Sequence, residues 1–120
     1  RQLVLVARAL AQDTCYLVLD EPTASLDYAN QIRILQVIKA LAKEGYAVLM
    51  TSHSPDQAFL AASRVLMLKD GRVFKDGPPE TTVTSQSLSQ LYGLDVCVTE
   101  VAARFAAGPR LSSVCIPSMP

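Results

Sequence analysis

Apolar and polar positions alternate along the chain in two distinct patterns. Short continuous apolar runs rich in Leu and Val are typical of strands buried on both faces of a sheet, and they occupy residues 15–19, 46–50 and 65–68. Longer segments with helical periodicity lie between or before these runs, at residues 2–12, 28–44 and 54–62. The resulting order of strand, helix, strand, helix, strand predicts an α/β fold with a parallel sheet.

The helical segments carry further signals at their ends. Within 28–44 an apolar stripe is predicted from residues at three-residue spacing, namely Ile32, Leu35, Ile38 and Leu41. Gly45 suits the position after that helix, and Ser54 is predicted to cap the next one with Pro55 in its first turn. The first helix, 2–12, is expected to be mostly buried because Leu, Val and Ala dominate it.

The last third of the chain has a different composition. Asp70-Gly71 predicts a hairpin turn into an antiparallel strand at 72–75, and Pro78-Pro79 then interrupts the chain. A short helix at 85–92, ended by Gly93, and two short strands at 94–98 and 114–116 are expected beyond it. We therefore predict two parts, residues 1–77 as a sheet-containing domain and residues 78–120 as a small α+β appendage.

Composition narrows the class of protein. With 120 residues, half of them hydrophobic, the chain is one domain or a piece of one with a buried core. Eleven basic and eleven acidic residues give no net charge, which argues against a nucleic-acid surface. No apolar stretch is long enough to cross a bilayer. The three cysteines, Cys15, Cys97 and Cys115, lack metal-ligand spacing and are expected to be reduced and buried, as in the cytosol.

Two carboxylates follow the first strand directly. Asp20 and Glu21 end the run at 16–19, and Thr51-Ser52-His53, which contains the only histidine, ends the next strand. Ligands bind at the carboxyl ends of strands in open α/β sheets, so these side chains are candidates for work on a phosphate ester. The alternative is that the acids cap a strand and that His53 is an ordinary loop residue.

These segments together resemble the ATP-binding-cassette ATPases. YLVLDEP at 16–22 resembles their Walker B strand, SLD at 25–27 their D-loop and TSHSPDQA at 51–58 their switch-histidine segment. RQLVLVARALAQ at 1–12 resembles the helix that follows the family signature. The resemblance covers residues 1–77 in order, and it implies the C-terminal part of a P-loop NTPase, a mostly parallel sheet flanked by helices.

The resemblance implies a role for each candidate residue. Asp20 would hold Mg²⁺, through water, and Glu21 would polarise the attacking water as general base. His53 would contact the γ-phosphate of ATP and help to hold Glu21. Ser25 and Asp27 would face a second ATPase subunit across the nucleotide, although Asp27 also has the position of an ordinary helix cap.

Other motifs of the family are missing from these 120 residues. None of the five glycines precedes a lysine, so no glycine-rich phosphate loop with its lysine is present. The signature Ser-Gly-Gly would lie before Arg1, and Gln2 beside it is expected to be structural. We therefore interpret the chain as the C-terminal part of a longer ATPase and expect it to be inactive alone.

The tail adds a narrower resemblance. The order DGRV, GPPE and LYGLDVCV resembles importer ATPases for iron–siderophore complexes, haem or cobalamin. Such a subunit would use ATP and Mg²⁺ and would pair with a second copy. It would bind membrane permease subunits, and through them a substrate-binding protein, at the cytoplasmic face of a bacterial membrane, without nucleic acid. A soluble non-transport ATPase of the same family and an inactive remnant remain as alternatives.

Overall fold

The computed structural model describes residues 2–119, except for the side chain of Gln2, so the predicted structural role of Gln2 lies outside the described residues. The described chain divides into two compact units between Ser54 and Pro55. The boundary predicted from composition, at residue 77, lies within the second unit, and the assignment of 1–77 to the ATPase domain stays a prediction.

The first unit is a helix–strand–helix–strand arrangement. Its elements are α1 (Gln2–Leu10), β1 (Tyr16–Leu19), α2 (Tyr28–Lys43) and β2 (Ala47–Met50). Strands β1 and β2 pair in parallel, with Leu17 opposite Val48 and Leu19 opposite Met50. A parallel pair needs a crossover connection, which α2 supplies, so this part of the α/β prediction is confirmed.

Helix α2 begins and ends where the sequence predicts. Asp27 is its N-cap and accepts a hydrogen bond from the Asn30 backbone N–H at 2.8 Å. Gly45 follows the helix with a φ of +102°, a conformation that glycine adopts without steric cost. Of the predicted stripe, Leu35, Ile38 and Leu41 are buried, whereas Ile32 is only half-buried. Ile34 is buried although it was not predicted to be.

The parallel pair is covered on one face only. Val6 of α1, Leu17 of β1 and Leu41 of α2 form the core of the first unit. On the opposite face of the strands, Val18 is 76% exposed and Leu49 is 64% exposed. Burial on both faces is therefore not seen among residues 2–119, where α1 and α2 supply apolar side chains to one face alone.

Helix α1 departs from its prediction in the same way. The sequence predicts a mostly buried helix, but Val6 is its one fully buried hydrophobic residue among those described. Leu3, Val4 and Leu5 are each at least half exposed. The helical periodicity of Leu, Val and Ala thus predicted the helix correctly, but it did not predict how much of the helix surface other elements cover.

The second unit begins with a short helix and an antiparallel hairpin. Its first elements are α3 (Asp56–Ala61), β3 (Val65–Lys69) and β4 (Arg72–Gly77). The hairpin turn at Asp70-Gly71 is confirmed, with φ of +51° and +73°. The N-cap of α3 is Pro55 and not the predicted Ser54. Strand β3 pairs with β4 in an antiparallel sheet of the second unit.

The remaining elements of this unit are α4 (Pro79–Thr82), α5 (Ser85–Tyr92), β5 (Val96–Phe105) and β6 (Gly108–Pro117). Thr84 and Ser87 form a capping box at the start of α5, and Gly93 ends the helix with a φ of +68°. Strands β5 and β6 form an antiparallel hairpin of ten residues each, much longer than the segments predicted at 94–98 and 114–116.

A single core joins these elements to β3. It consists of the buried residues Met67, Val83, Leu88 and Val96, with half-buried neighbours from α3, β4 and β6. The segment after residue 77 is therefore not a separate appendage in packing terms, since Met67 of β3 belongs to its core. Arg64, before β3, makes two hydrogen bonds to the carboxylate of Asp76 in β4, and this contact lowers the pKa of Asp76.

The cysteines are free thiols, but the prediction that they are buried holds for none of them fully. Cys15 and Cys97 are exposed, and Cys115 is half-buried. Burial, followed by the nearby Asp56 carboxylate, raises the pKa of Cys115 to about 12, so its thiol stays protonated near neutral pH. Among the helices of residues 2–119, none combines the length and apolar character that a bilayer crossing requires.

Candidate functional site

The candidate site lies where β1 and β2 end in the first unit. Because Leu19 is opposite Met50 in a parallel pair, the residues that follow both strands leave the sheet at the same edge. Asp20 and Glu21 follow β1, and the segment from Thr51 to His53 follows β2. The sheet thus brings together the acidic pair and the histidine that the sequence singled out, at the edge where α/β proteins bind ligands.

Thr51 connects the two strand ends. Its hydroxyl donates to Asp20 Oδ1 at 2.7 Å and accepts the backbone N–H of Glu21 at 2.8 Å. Its own N–H donates to the carbonyl of Leu19 at 3.0 Å, which continues the parallel ladder by one residue. Thr51 was not among the predicted site residues, and the available signal was its position directly after β2, level with Asp20.

Glu21 and His53 are in direct contact through Glu21 Oε1 and His53 Nε2. The histidine side chain is 90% exposed and the glutamate side chain is 39% exposed. The pair therefore has little role in core packing and is open to a ligand from solvent. A carboxylate beside an imidazole can accept a proton from water. The imidazole can meanwhile orient the carboxylate or contact an anion.

The backbone of Glu21 is unusual. Its φ of +45° lies in the left-handed region, which costs a non-glycine residue about 1–3 kcal/mol when the surroundings do not favour it. Two contacts hold this conformation, the Thr51 hydroxyl on the Glu21 N–H and the Ala24 N–H on the Glu21 carbonyl at 3.0 Å. Backbone strain of this kind clusters at functional sites, so it favours a functional role for Glu21 over simple strand capping.

The two D-loop candidates lie further along the same turn. Ser25 is exposed and also has a left-handed backbone, with a φ of +61°. Both carboxylate oxygens of Asp27 bond to Asn30, at 2.8 Å to its backbone N–H and 3.1 Å to its side-chain amide. The alternative interpretation of Asp27 as a helix cap is thus confirmed, while contact of Ser25 and Asp27 with a second subunit stays a prediction.

The donor atoms at Asp20 match those that Mg²⁺ prefers. Asp20 is exposed, and the Thr51 hydroxyl donates to its Oδ1 and not to its Oδ2. Mg²⁺ is commonly held by one or two carboxylates and keeps several waters. Residues 2–119 contain no group of three or more acidic, His or Cys side chains that would form an all-protein metal cage. The site therefore fits a hydrated Mg²⁺ and does not fit a metal enclosed by protein.

Comparison with known proteins places this site in a family context. A family model described as "AAA domain, putative AbiEii toxin, Type IV TA system" matches residues 3–56, which include the whole site but less than half of the chain. The "Hemin import ATP-binding protein HmuV" of Nocardia farcinica is 44% identical over 89 residues, covering 74% of this chain and 31% of the relative.

Two further similarities extend the match into the second unit. The "Ferric enterobactin transport ATP-binding protein FepC" of Escherichia coli is 37% identical over 95 residues, covering 78% of this chain and 35% of the relative. A solved structure described as "An inward-facing conformation of a putative metal-chelate type ABC transporter" has 32% identity and a TM-score of 0.82. That match covers 97% of this chain and 45% of the other.

These similarities and the strand-end site define a P-loop NTPase fold. Within that class, the chain belongs to the ATP-binding-cassette ATPases, and it is part of one such ATPase. The chain spans about a third of the length of the curated relatives it matches. The toxin model matches residues 3–56, nearly the whole first unit, and the relatives that also match the second unit are transport ATPases.

Proposed function

We propose that the chain is part of the ATP-hydrolysing subunit of an importer that takes up an iron complex, haem or cobalamin. The observation that carries this proposal is the Glu21–His53 contact beside Asp20, in a chain similar to hemin and ferric enterobactin transport ATPases. The likeness to a metal-chelate transporter over both units supports the same substrate class.

Glu21 is proposed as the general base of hydrolysis. A carboxylate has two oxygens, so Oε1 can keep its contact with His53 while Oε2 accepts a proton from the attacking water. Positive φ at Glu21 turns the residue out of the strand direction, and Thr51 holds it there. His53, exposed beside it, is proposed to contact the γ-phosphate and to keep the carboxylate in position.

Asp20 is proposed to hold Mg²⁺ through water. Thr51 fixes one oxygen of the Asp20 carboxylate, which leaves the other to accept hydrogen bonds from the water shell of the ion. When bound, Mg²⁺ supplies positive charge to the phosphate oxygens. ATP would have to be held mainly by groups outside these 120 residues, because the chain contains no phosphate loop with a lysine.

The partners follow from the same family membership. Ser25 and Asp27 are proposed to face a second ATPase subunit, in a homodimer that binds nucleotide between its copies. The pair would dock on integral-membrane permease subunits at the cytoplasmic face of the cell membrane and would act indirectly with a substrate-binding protein. No nucleic acid is expected as a partner, because the formal net charge is zero.

Transport activity can be measured with a longer protein that contains these residues together with a phosphate loop and signature. Reconstituted with its permease in vesicles, it should hydrolyse ATP and drive uptake of a ferric siderophore, hemin or cobalamin. ATP hydrolysis without a permease requirement would favour the soluble, non-transport ATPase. Failure to hydrolyse ATP with the permease present would favour the inactive remnant and would contradict the proposal.

The 120-residue chain alone is expected to show no measurable Mg-ATP binding. Asp20 and Glu21 are both carboxylates, and they repel a polyphosphate unless a metal and a lysine offset their charge. Calorimetric titration of the soluble chain with Mg-ATP provides the measurement, with the longer protein as the positive control. Micromolar binding to the chain would show that its nucleotide site does not depend on a phosphate loop.

A further inference from the structure

The β5–β6 hairpin of the second unit has two edges that no strand of the described chain covers. Pro109 and Pro117 of β6 lie opposite Arg104 and Val96 of β5. Because proline has no N–H, these are non-hydrogen-bonded pairs, and the hydrogen-bonded pairs alternate with them. The backbone N–H and C=O groups that point away from β6 therefore belong to alternate residues of β5, namely Val96, Val98, Glu100, Ala102 and Arg104.

Helix α5 covers the first part of this outer edge. The Ser89 hydroxyl accepts the N–H of Val96 at 3.0 Å and donates to its carbonyl at 3.3 Å. The Ser85 hydroxyl accepts the N–H of Val98 at 2.8 Å and lies 3.5 Å from its carbonyl. Two serine side chains thus replace a neighbouring strand at these positions, and they confirm the direction in which this set of backbone groups points.

The outer edge of β6 is blocked in a different manner. Pro109 and Pro117 remove two donors from that edge, and the N–H of Cys115 donates to Asp56 Oδ1 at 2.9 Å. Prolines and side-chain contacts of this kind are how proteins prevent an edge strand from pairing with another chain. Strand β6 is therefore unsuited to extend the sheet.

At residues 100, 102 and 104 the outer edge of β5 has neither a proline nor a side-chain hydrogen bond of the kind seen at Val96 and Val98. Glu100, Ala102 and Arg104 are exposed, none is proline, and each directs one N–H and one C=O outward. An open stretch of this kind accepts an added strand through backbone hydrogen bonds.

The spacing of charges along this edge matches a second copy of the same edge. In an antiparallel pair centred on Ala102, Ala102 lies opposite its own copy and Glu100 lies opposite Arg104 at both ends. All three open residues then form hydrogen-bonded pairs, each contributing two backbone bonds. Shifting the register of one copy by two residues leaves fewer hydrogen-bonded pairs among the open residues. Sliding it by four sets Glu100 against Glu100, or Arg104 against Arg104.

We propose that two copies of this chain associate through the outer edge of β5, with Glu100 of each copy paired to Arg104 of the other. The contact is isologous, as a two-fold dimer requires. Opposite charges directly across an antiparallel pair stabilise it, and like charges destabilise it. On the other face of the sheet, Val101 would lie beside Ala103 of the copy and the 55% exposed Phe105 beside Thr99, which covers apolar surface.

Charge reversal tests this contact without altering the hairpin itself. Sedimentation of the 120-residue chain should show concentration-dependent dimers, and Glu100→Arg and Arg104→Glu should each weaken them about tenfold, as expected when two attractive pairs become repulsive. An equimolar mixture of the two variants should recover wild-type affinity. In that mixed pair every contact between positions 100 and 104 again joins a carboxylate to a guanidinium.

Two further variants separate this edge from general effects of charge. Arg110→Glu changes the net charge as Arg104→Glu does, but Arg110 lies on β6 and pairs with Ala103 inside the hairpin, so dimers should persist. Ala102→Pro removes the central N–H of the contact and should abolish dimers while the hairpin remains. A monomer at millimolar concentration, a mixture that stays dissociated, or equal weakening by Arg110→Glu would each overturn the proposal, which does not depend on ATP hydrolysis.

Discussion

Glu21→Gln, in a longer ATPase that contains these residues, is expected to lower the rate of ATP hydrolysis by about 10²–10⁴ and to leave ATP binding intact. The amide has the shape of the carboxylate and can keep a hydrogen bond to His53, but it cannot accept a proton from water. Because the Glu21 side chain is 39% exposed, the substitution should not destabilise the fold. Single-turnover hydrolysis and nucleotide binding, measured on the same protein, separate the two effects.

Glu44→Gln is the matched control, since Glu44 is an exposed residue at the end of α2 and receives the same chemical change. We expect its hydrolysis rate to equal that of the wild type. If Glu21→Gln hydrolyses ATP as fast as Glu44→Gln, Glu21 is not the base and only caps its strand. If both variants are equally slow, the loss of a carboxylate at position 21 has no specific effect.

The placement of the candidate residues at one edge was predictable because they lie directly at strand ends. Apolar runs at 15–19 and 46–50 predicted two neighbouring strands, and polar residues immediately after both had to share an edge once the strands paired in parallel. What the pattern could not give is the backbone conformation of Glu21. Its positive φ depends on the Thr51 hydroxyl, a contact between residues thirty positions apart.

The sheets were harder to predict than the elements. Strand β3 pairs with β4 as the Asp70-Gly71 turn predicted, but the register shift between Met67 and Leu68 could not be predicted from local sequence. The hairpin of β5 and β6 was underestimated because residues 99–113 contain Glu100, Arg104, Pro109 and Arg110, which weaken any strand pattern. Pairing across the whole hairpin overrides that local signal, and Pro109 is tolerated at a non-hydrogen-bonded position.

Burial was the least predictable property. Val18 and Leu49 belong to apolar runs that are typical of strands buried on both faces, yet they are exposed on the face that α1 and α2 do not cover. The apolar pattern predicts that a segment forms a strand, whereas the exposure of each side chain depends on which other elements pack against that strand. Burial beyond residue 77 likewise depends on a neighbour, since Leu88 and Val96 are buried together with Met67 of β3.

Leu88→Ala should have the largest effect on stability among single changes in the second unit. Leu88 is 1% exposed and packs in the core with Met67, Val83 and Val96, so its truncation leaves a cavity among α5, β3 and β5. Substitutions of this kind cost about 2–5 kcal/mol. Hydrogen exchange of the β5 amides that bond to β6 reports the opening of this unit, and their protection should fall by about 10² or more.

Two variants calibrate that measurement. Leu94→Ala removes the same atoms from a side chain that is 50% exposed and should change the free energy of unfolding by no more than about 0.5 kcal/mol. Leu88→Met conserves volume and should cost less than about 1.5 kcal/mol. Complete loss of protection in Leu88→Ala alone would show that this core holds β3, α5 and β5 together. Equal protection in Leu88→Ala and Leu94→Ala would contradict that role for Leu88.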